Sequence, residues 1–163
     1  MRVATSADSD AVSRLLAASY SSLLRASYDG DLLDRVLPFM IRANQNLLAS
    51  GTYYVVPDGA GNFIGCGGWT IARPGSGEVR EGEAHIRHFA THPGSVRQGV
   101  GASLLARCVS DARQLGIRTL HCFSTLNGER FYQASGFDKV EAIDVPMGPT
   151  LKFPGIWMIR ELK

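Results

Sequence analysis

Residues 96–105, VRQGVGASLL, have the residue types that can bind a phosphate. Gly99 and Gly101 stand one residue apart, directly before an apolar pattern with helical spacing. A helix start leaves backbone N–H groups without partners and carries a partial positive charge. Glycines let an anion approach those groups closely, and Arg97 adds a full charge beside them. The stretch therefore predicts an anion-binding loop, with a turn that binds nothing as the alternative.

The two common nucleotide-binding loops do not match this stretch. A dinucleotide-binding fold requires G-x-G-x-x-G, but Leu104 stands at the place of the third glycine. The ATP- and GTP-binding loop requires Gly-Lys followed by Ser or Thr, which the stretch lacks. If a phosphate binds here, the loop belongs to another type.

The residues before the loop, EAHIRHFAT, read as a strand whose alternate residues share a face. One predicted face carries Glu83, His85, Arg87, Phe89 and Thr91, and the other carries Ala84, Ile86, His88 and Ala90. His85 and His88 then point to opposite sides and cannot share one ion. No metal is predicted.

The elements that position these residues follow from hydrophobic periodicity and turn residues. A first helix is capped by Ser6, Asp8 or Ser9, and a second covers about Asp31 to Ala49, where Pro38 kinks or divides it. The remaining segments are a hairpin (Thr52–Ala72), the strand before the loop, a helix (about Gly99–Leu115), the strand IRTLHCFS, the short helix LNGERFYQASGF, and the strands DKVEAIDV and IWMIREL. The order β-α-α-β-β-β-α-β-α-β-β predicts an α/β fold with a mixed sheet and helices on its faces.

Size and composition limit the class of protein. The 163 residues favour one domain, 1–163, and 45% hydrophobic residues with 20% charged residues are typical of a globular chain. A net charge of +2 gives no reason to expect nucleic acid or a membrane as partner. There is no apolar leader or long apolar run, and three cysteines cannot all pair within one chain. The expected compartment is the cytoplasm.

Two motifs together resemble a known family. FATHPGSVRQGVGASLL is similar to the acetyl-CoA-binding signature of the GNAT superfamily of N-acetyltransferases, in which [Q/R]-x-x-G-x-[G/A] opens a helix. Gly99 and Gly101 match the last two defined positions, whereas Val96 stands where the family usually has Gln or Arg. FYQASGF, residues 131–137, resembles the F-Y-x-x-x-G-F segment of the same family. The resemblance implies a GNAT-like acyl-CoA N-acyltransferase fold.

The resemblance also implies a binding site for acetyl-CoA. The amides of Gln98 through Ala102 hold the pyrophosphate, and backbone groups at the end of the preceding strand pair with the pantetheine and the thioester oxygen. Thr125 stands where the family often has an asparagine that touches the pantetheine, and Asn127 lies two residues further on. The predicted coenzyme-binding residues are Phe89, Ala90, Thr91, Arg97, Gln98, Gly99, Val100, Gly101, Ala102, Thr125 and Asn127.

The catalytic residues are likewise implied by the resemblance. Tyr132 matches the tyrosine that protonates the departing thiolate, a role suited to a phenol within hydrogen-bond distance. His85 falls where histone-type members carry a catalytic glutamate, and a histidine can take the amine proton directly or through water. Glu83 on the same predicted face is the second candidate for the base, and a water chain is the third.

The function predicted from the sequence is acetyl transfer from acetyl-CoA to a primary amine of a small molecule or peptide, by direct attack in a ternary complex. The alternatives are a non-catalytic acyl-CoA-binding module and an oxidoreductase that uses another nucleotide. The acceptor is open: Tyr28 can line its pocket, and Asp29, Asp31 and Asp34 can attract a cationic amine. A homodimer is common in such families, but no residue argues for one.

Overall fold

The computed structural model describes residues 1–163 and contains seven strands and five α-helices. The strands are β1 (Arg2–Val3), β2 (Tyr53–Pro57), β3 (Phe63–Thr70), β4 (Glu83–Thr91), β5 (Thr119–Thr125), β6 (Asp138–Met147) and β7 (Leu151–Glu161). The helices are α1 (Ser9–Leu23), α2 (Gly30–Met40), α3 (Gln45–Leu48), α4 (Val100–Gln114) and α5 (Glu129–Ala134). The predicted mixed α/β class is confirmed. No helix combines the length and the apolar character needed to cross a membrane.

One mixed sheet joins all seven strands in the order β1-β2-β3-β4-β5-β7-β6. Every neighbouring pair is antiparallel except β4 and β5, which are joined through α4 and run parallel. A parallel pair requires a crossover connection, and α4 supplies it. The predicted anion-binding loop therefore lies at the carboxyl end of β4, where α4 begins.

The second predicted helix, Asp31–Ala49, is two helices in the structure. Pro38 lies inside α2 and removes one hydrogen bond, but the chain continues as helix because the Ile41 N–H still reaches the Leu37 carbonyl at 3.1 Å. The division comes after Met40. A new start follows at Asn44, whose side chain caps α3. The segment is divided, but the prediction that Pro38 divides it is wrong, because α2 continues through the proline to Met40.

The cap of α1 differs from the prediction. The Asp8 carboxylate does not accept from the helix but points back toward the N-terminus, where it accepts from the Thr5 N–H at 2.8 Å. It also forms a two-pronged ion pair with the Arg2 guanidinium at 2.8 Å. These bonds to Arg2 and Thr5 lower the pKa of Asp8 to about 2, against the opposing effect of burial. Asp8 thus ties the first strand to the start of α1.

Helices on both faces bury the sheet. The largest cluster lies between the sheet and the pair α4 and α5, and includes Leu104, Leu120, Tyr132 and Met158. A second cluster lies under α1 and α3, and a third packs α2 against Phe153 of β7. The three cysteines are buried and unpaired, in agreement with the expectation that they are free thiols.

Candidate active site

A β-bulge in β4 shapes the centre of the site. Cys66 of β3 pairs with Ala90 of β4, and Gly68 pairs with Arg87. Gly67 therefore faces two residues of β4 instead of one, which defines a bulge. A Cβ on Gly67 would lie 2.4 Å from the nearest ring atom of Phe89, so the bulged side chain lies against a bare backbone. A glycine inside a strand commonly marks a bulge or a close approach of another chain segment, and Gly67 has both here.

The bulge bends the backbone and reverses the faces of β4. His88 has φ of +47°, a left-handed conformation that costs a non-glycine residue about 1–3 kcal/mol. Beyond the bulge, Phe89 packs with Ala84 and Ile86 on the α4 side, while Ala90 joins the cluster under α1. The predicted alternation is therefore wrong past Arg87, because one inserted residue exchanges the two faces of a strand.

A gap opens between β4 and β5 next to the bulge. The two strands pair only up to His85 opposite His121. From there β5 stays paired with β7, as far as Thr125 opposite Gly155, and β4 continues alone on this side. The carboxyl half of β4 is thus an unpaired strand edge inside the molecule.

Backbone direction decides which residues of β4 face this gap. The His92 N–H donates to the Ile64 carbonyl of β3 at 2.9 Å. Because backbone groups alternate along a strand, Ala90 points to β3 as well, whereas Phe89 and Thr91 point into the gap. Of the three residues predicted to offer free backbone groups, Ala90 is therefore occupied by its pairing with β3.

Tyrosine hydroxyls fix the bulged backbone from the α1 side. Tyr20 of α1 donates to the Phe89 carbonyl at 2.9 Å, and Tyr53 of β2 donates to the His88 carbonyl at 2.9 Å. Each phenol satisfies a carbonyl that the bulge removes from regular pairing. Neither role is predictable from local sequence patterns, because both tyrosines are distant from β4 along the chain.

The loop before α4 has the geometry expected of an anion site. Gly99 is the residue before the helix and has φ of +81°, which a residue with a side chain adopts only under strain. Arg97 is also left-handed, with φ of +61°. Successive turns of this kind make a concave surface of N–H groups. No side chain caps the first N–H groups of α4, and Arg97, Gln98 and Ala102 are exposed there.

The second glycine of the loop has a packing role. A Cβ on Gly101 would come within 3.3 Å of the Phe131 ring of α5. That position allows α5 to lie against the first turn of α4, so the two sequence motifs meet in space. A Cβ on Gly65 of β3 would lie 2.3 Å from Val100, so the helix start also packs closely on the sheet. Val96 is partly exposed beside this loop.

Tyr132 lies in the buried cluster at the end of the gap. Its ring makes edge contacts with Phe131 at 5.0 Å, Phe137 at 5.4 Å and Phe89 of the bulge at 6.3 Å between centroids. Burial, and next the nearby Cys122 thiol, raise the pKa of Tyr132 well above its ordinary value. The phenol therefore keeps its proton at neutral pH, as a proton donor requires.

Three other residues predicted to contact a ligand near the gap are Asn127, Thr125 and Tyr28. Asn127 donates to the Leu23 carbonyl at the end of α1, at 3.4 Å. Thr125 is the last residue of β5 and lies four residues beyond His121, where the pairing with β4 ends. Tyr28 connects the end of β5 to β7. Its hydroxyl accepts from the Leu126 N–H at 2.8 Å and donates to the Pro154 carbonyl at 2.7 Å. Its ring is buried, which argues against a role in lining the acceptor pocket.

The acidic residues near α2 also have structural partners. Asp29 caps α2 by accepting from the Leu32 N–H at 3.0 Å, and Asp34 pairs with Arg25 at 3.1 Å. Asp31 lies in the first turn of the same helix, where a carboxylate interacts well with the helix dipole. These bonds explain the acidic residues without a cationic ligand.

His85 and Glu83 meet a third group, His121 of β5. The His85 and His121 rings stack at 4.9 Å between centroids. The Trp157 indole N–H donates to His121 Nδ1 at 3.2 Å, so that nitrogen carries no proton. Nε2, 3.1 Å from a Glu83 oxygen, is then the protonated nitrogen and donates to it. His121 is not among the residues predicted from the sequence, because its contact with Glu83 and Trp157 depends on the pairing of three strands.

A small pocket of about 40 Å³ opens at His85, with room for a few water molecules. Its wall consists of Arg73, Glu78, Arg80, Glu83, His85, His121, Phe123 and Trp157. Burial lowers the pKa of His85 to about 4, and the closeness of His121 and of three arginines disfavours a second positive charge there as well. His85 is therefore a neutral imidazole at pH 7 and is free to accept a proton.

Comparisons with known proteins identify a sequence family and solved structures of the same fold. A sequence model described as "Acetyltransferase (GNAT) family" matches residues 12–137. No curated protein matches the chain in a sequence search. A solved GCN5-related N-acetyltransferase from Rhodopseudomonas palustris has a TM-score of 0.77 at 17% identity, over 96% of this chain and 91% of that one.

Two further solved structures were determined with coenzyme A. The PaiA N-acetyltransferase from Thermoplasma acidophilum has a TM-score of 0.69 at 14% identity, over 98% of this chain and 96% of that one. The N-acetylglutamate synthase from Neisseria gonorrhoeae, which also contains N-acetylglutamate, has a TM-score of 0.62 at 20% identity, over 99% of this chain and 34% of that one. At these identities the likeness concerns the fold.

Proposed function

Because the chain belongs to the GNAT acetyltransferase family, we propose that it transfers an acetyl group from acetyl-CoA to a primary amine. The observation that carries the proposal is the unpaired edge of β4, which lies between the open start of α4 and the buried phenol of Tyr132. The two solved relatives that contain coenzyme A support the choice of cosubstrate. We propose that residues 1–163 act as one domain, in the cytoplasm, where their free thiols stay reduced.

In this proposal, coenzyme A lies along the gap. Its pyrophosphate accepts hydrogen bonds from the amides of Gln98 through Ala102, with Arg97 beside it, because unpaired N–H groups and the helix dipole favour an anion there. The pantetheine arm pairs with the Phe89 N–H and with the backbone of Thr91 as an added strand would, while the Phe89 carbonyl stays bound to Tyr20. Thr125 contacts the arm from β5, and Asn127 extends this contact only by releasing its bond to Leu23.

The proposed reaction is a direct attack of the amine on the thioester carbonyl carbon. A C–N bond forms, and backbone N–H groups at the bulge stabilise the oxyanion, which a rigid donor does at little cost in reorganisation. The C–S bond then breaks, and Tyr132 gives its proton to the leaving thiolate. The amine proton passes to His85 directly or through water, leaving an amide and free coenzyme A.

The choice of base rests on the network at His85. His85 is neutral and faces the pocket, whereas the Glu83 carboxylate accepts from His121. We therefore propose His85 as the base and Glu83 as the group that orients His121. A water chain in the pocket is the alternative route for the proton.

Titration with acetyl-CoA is expected to raise the thermal midpoint of the protein. At 100 times its dissociation constant, a ligand of the folded state adds about 2.7 kcal/mol, or roughly 5–10 °C for a chain of this size. Release of free thiol with a panel of primary amines then separates an enzyme from a non-catalytic acyl-CoA-binding module. No shift at millimolar acetyl-CoA, together with a shift by NAD(P), would favour the oxidoreductase alternative and contradict the proposal.

Replacing His85 with Gln is expected to lower kcat about tenfold or more, while the midpoint shift by acetyl-CoA stays the same, because a general base commonly contributes at least that factor. Initial rates of thiol release measure the effect. Glu83→Gln is the matched control on the same strand, and its kcat should fall less. A larger loss in Glu83→Gln than in His85→Gln would transfer the role of base to Glu83.

A pH titration of stability checks that the His85 substitution acts as described. The pKa of His85 is about 4 in the folded protein, below its ordinary value of about 6.5 in an unfolded chain. Stability linked to His85 is thus complete above pH 6.5 and is lost as pH falls toward 4, because only the unfolded chain takes up the proton. The His85→Gln protein should lose less stability than wild type over this interval.

A further inference from the structure

Arg87 is a half-buried cation without an anionic partner. It lies on β4 two residues after His85, and its Nη1 donates to the Thr70 hydroxyl at 3.1 Å. None of the six ion pairs of the structure includes it. Burial lowers the pKa of its guanidinium. Proteins rarely desolvate a charge without pairing it, so this position calls for an explanation.

Arg73 is a second guanidinium without an ion pair. It lines the pocket at His85, and both it and Arg87 act on the charge of that histidine. Arg73 belongs to the loop between β3 and β4, lies 5.4 Å from the centre of the Phe123 ring, and forms no ion pair. The third arginine, Arg80, is bound to Glu78 at 3.0 Å. The other carboxylate of the pocket, on Glu83, accepts a hydrogen bond from the neutral His121 and keeps its charge. With Arg87 included, three arginines and two glutamates surround the neutral His85 and His121, so one positive charge there is not balanced by a protein group.

We propose that Arg87 and Arg73 bind a carboxylate of the acceptor, so that the substrates are compact amines carrying a carboxylate, as amino acids do. This inference rests on the proposed acetyl transfer and specifies its substrate class. A guanidinium offers a planar pair of N–H donors that matches a carboxylate in shape and charge. The Phe123 ring and the Thr70 hydroxyl hold the two side chains in place.

The spacing along β4 agrees with a small acceptor. Two residues of a regular strand rise about 7 Å, and the bulge at His88 shortens this rise, so Arg87 and Phe89 are no further apart than that. In an amino acid, the amino group lies a few atoms from the carboxylate. When the carboxylate binds the Arg87 guanidinium, the amino group therefore lies toward the unpaired edge of β4. The amine is thereby directed at the thioester, and His85 lies on the same face as Arg87, ahead of the bulge.

A bound carboxylate also affects the base. The charged and titratable groups that act on His85 or line its pocket are Glu83 and Arg87 of β4, His121 of β5, and Arg73, Glu78 and Arg80 of the β3–β4 loop. After burial and His121, the arginines contribute to the lowered pKa of His85. A carboxylate that neutralises Arg73 and Arg87 therefore raises that pKa toward neutrality and strengthens His85 as a base. Such a substrate improves the catalysis of its own acetylation.

The test compares amino acids with their amides, which differ only in the carboxylate. Wild type is expected to have a KM for the amino acid about tenfold or more below its KM for the amide. A charge-assisted hydrogen bond to the carboxylate is strong enough to produce a difference of that size. Arg87→Gln and Arg73→Gln should each remove this preference, raise KM for the acid and leave the amide nearly unchanged. Arg35→Gln, an exposed arginine of α2, is the matched control and should behave as wild type.

A binding measurement keeps the inference separate from the proposed function. N-acetylalanine should raise the thermal midpoint and change the fluorescence of Trp157, which lines the pocket, whereas N-acetylalaninamide should do neither. Acid-selective binding without thiol release from any amine would support the carboxylate site and contradict acetyl transfer. Equal use or equal binding of the acid and the amide would overturn the inference. Weaker binding of coenzyme A by Arg87→Gln would also overturn it, because Arg87 would then be assigned to a coenzyme phosphate.

Discussion

Replacing Tyr132 with Phe is expected to lower kcat about 100-fold while the midpoint shift by acetyl-CoA stays unchanged, because a positioned general acid commonly contributes at least that factor. The phenol is the group lost, and the aromatic ring that packs against Phe89, Phe131 and Phe137 is kept. Initial rates of thiol release with saturating amine and acetyl-CoA measure the effect.

Tyr54→Phe is the matched control for this substitution. Tyr54 belongs to the same buried cluster, and its hydroxyl bonds to Asp111 of α4. Removing that hydroxyl should cost stability and leave kcat close to that of wild type, because Asp111 lies toward the other end of α4 from the proposed coenzyme site. Equal loss of kcat in both variants, or full activity of Tyr132→Phe, would remove the role proposed for Tyr132.

Replacing Gly67 with Ala is expected to reduce kcat/KM by about 100-fold or more, because a displacement of 1 Å in a site has effects of that size. The new Cβ would lie 2.4 Å from the Phe89 ring, so the ring has to move. Phe89 carries one of the backbone positions that face the gap, and its movement shifts the bulge. Steady-state kinetics and the thermal midpoint are measured together, and the midpoint should fall as well.

Two further variants identify the clash as the cause. Gly59→Ala adds the same methyl group in the turn between β2 and β3, where no atom lies within 4 Å, and should leave stability and activity near wild type. In the double variant Gly67→Ala/Phe89→Leu the smaller side chain should recover part of the lost stability, a coupling expected only of residues in contact. Independent effects of the two substitutions would show that Gly67 has no special relation to the bulge.

The local motifs of the chain predicted the site in outline. The helix start at Gly99 and the segment around Tyr132 depend on residues that are near one another in sequence, and the structure places them in contact through Gly101 and Phe131. The alternation of EAHIRHFAT holds from Glu83 to Arg87 and fails at His88. That failure has its cause in Gly67 of the neighbouring strand, which periodicity within one segment does not contain.

The sequence by itself determined the order of elements, the mixed α/β class, the likeness to the family and the positions of the candidate loop and phenol, because helical periodicity, turn residues and short motifs are local properties. Only the tertiary structure decided which backbone groups of β4 face the gap, that His121 binds Glu83 through Nε2, and that Arg87 and Arg73 form no ion pair. Each of these depends on groups from separate strands and loops. Pairing, burial and charge balance arise when distant segments meet, so they cannot be deduced from any one stretch of the chain.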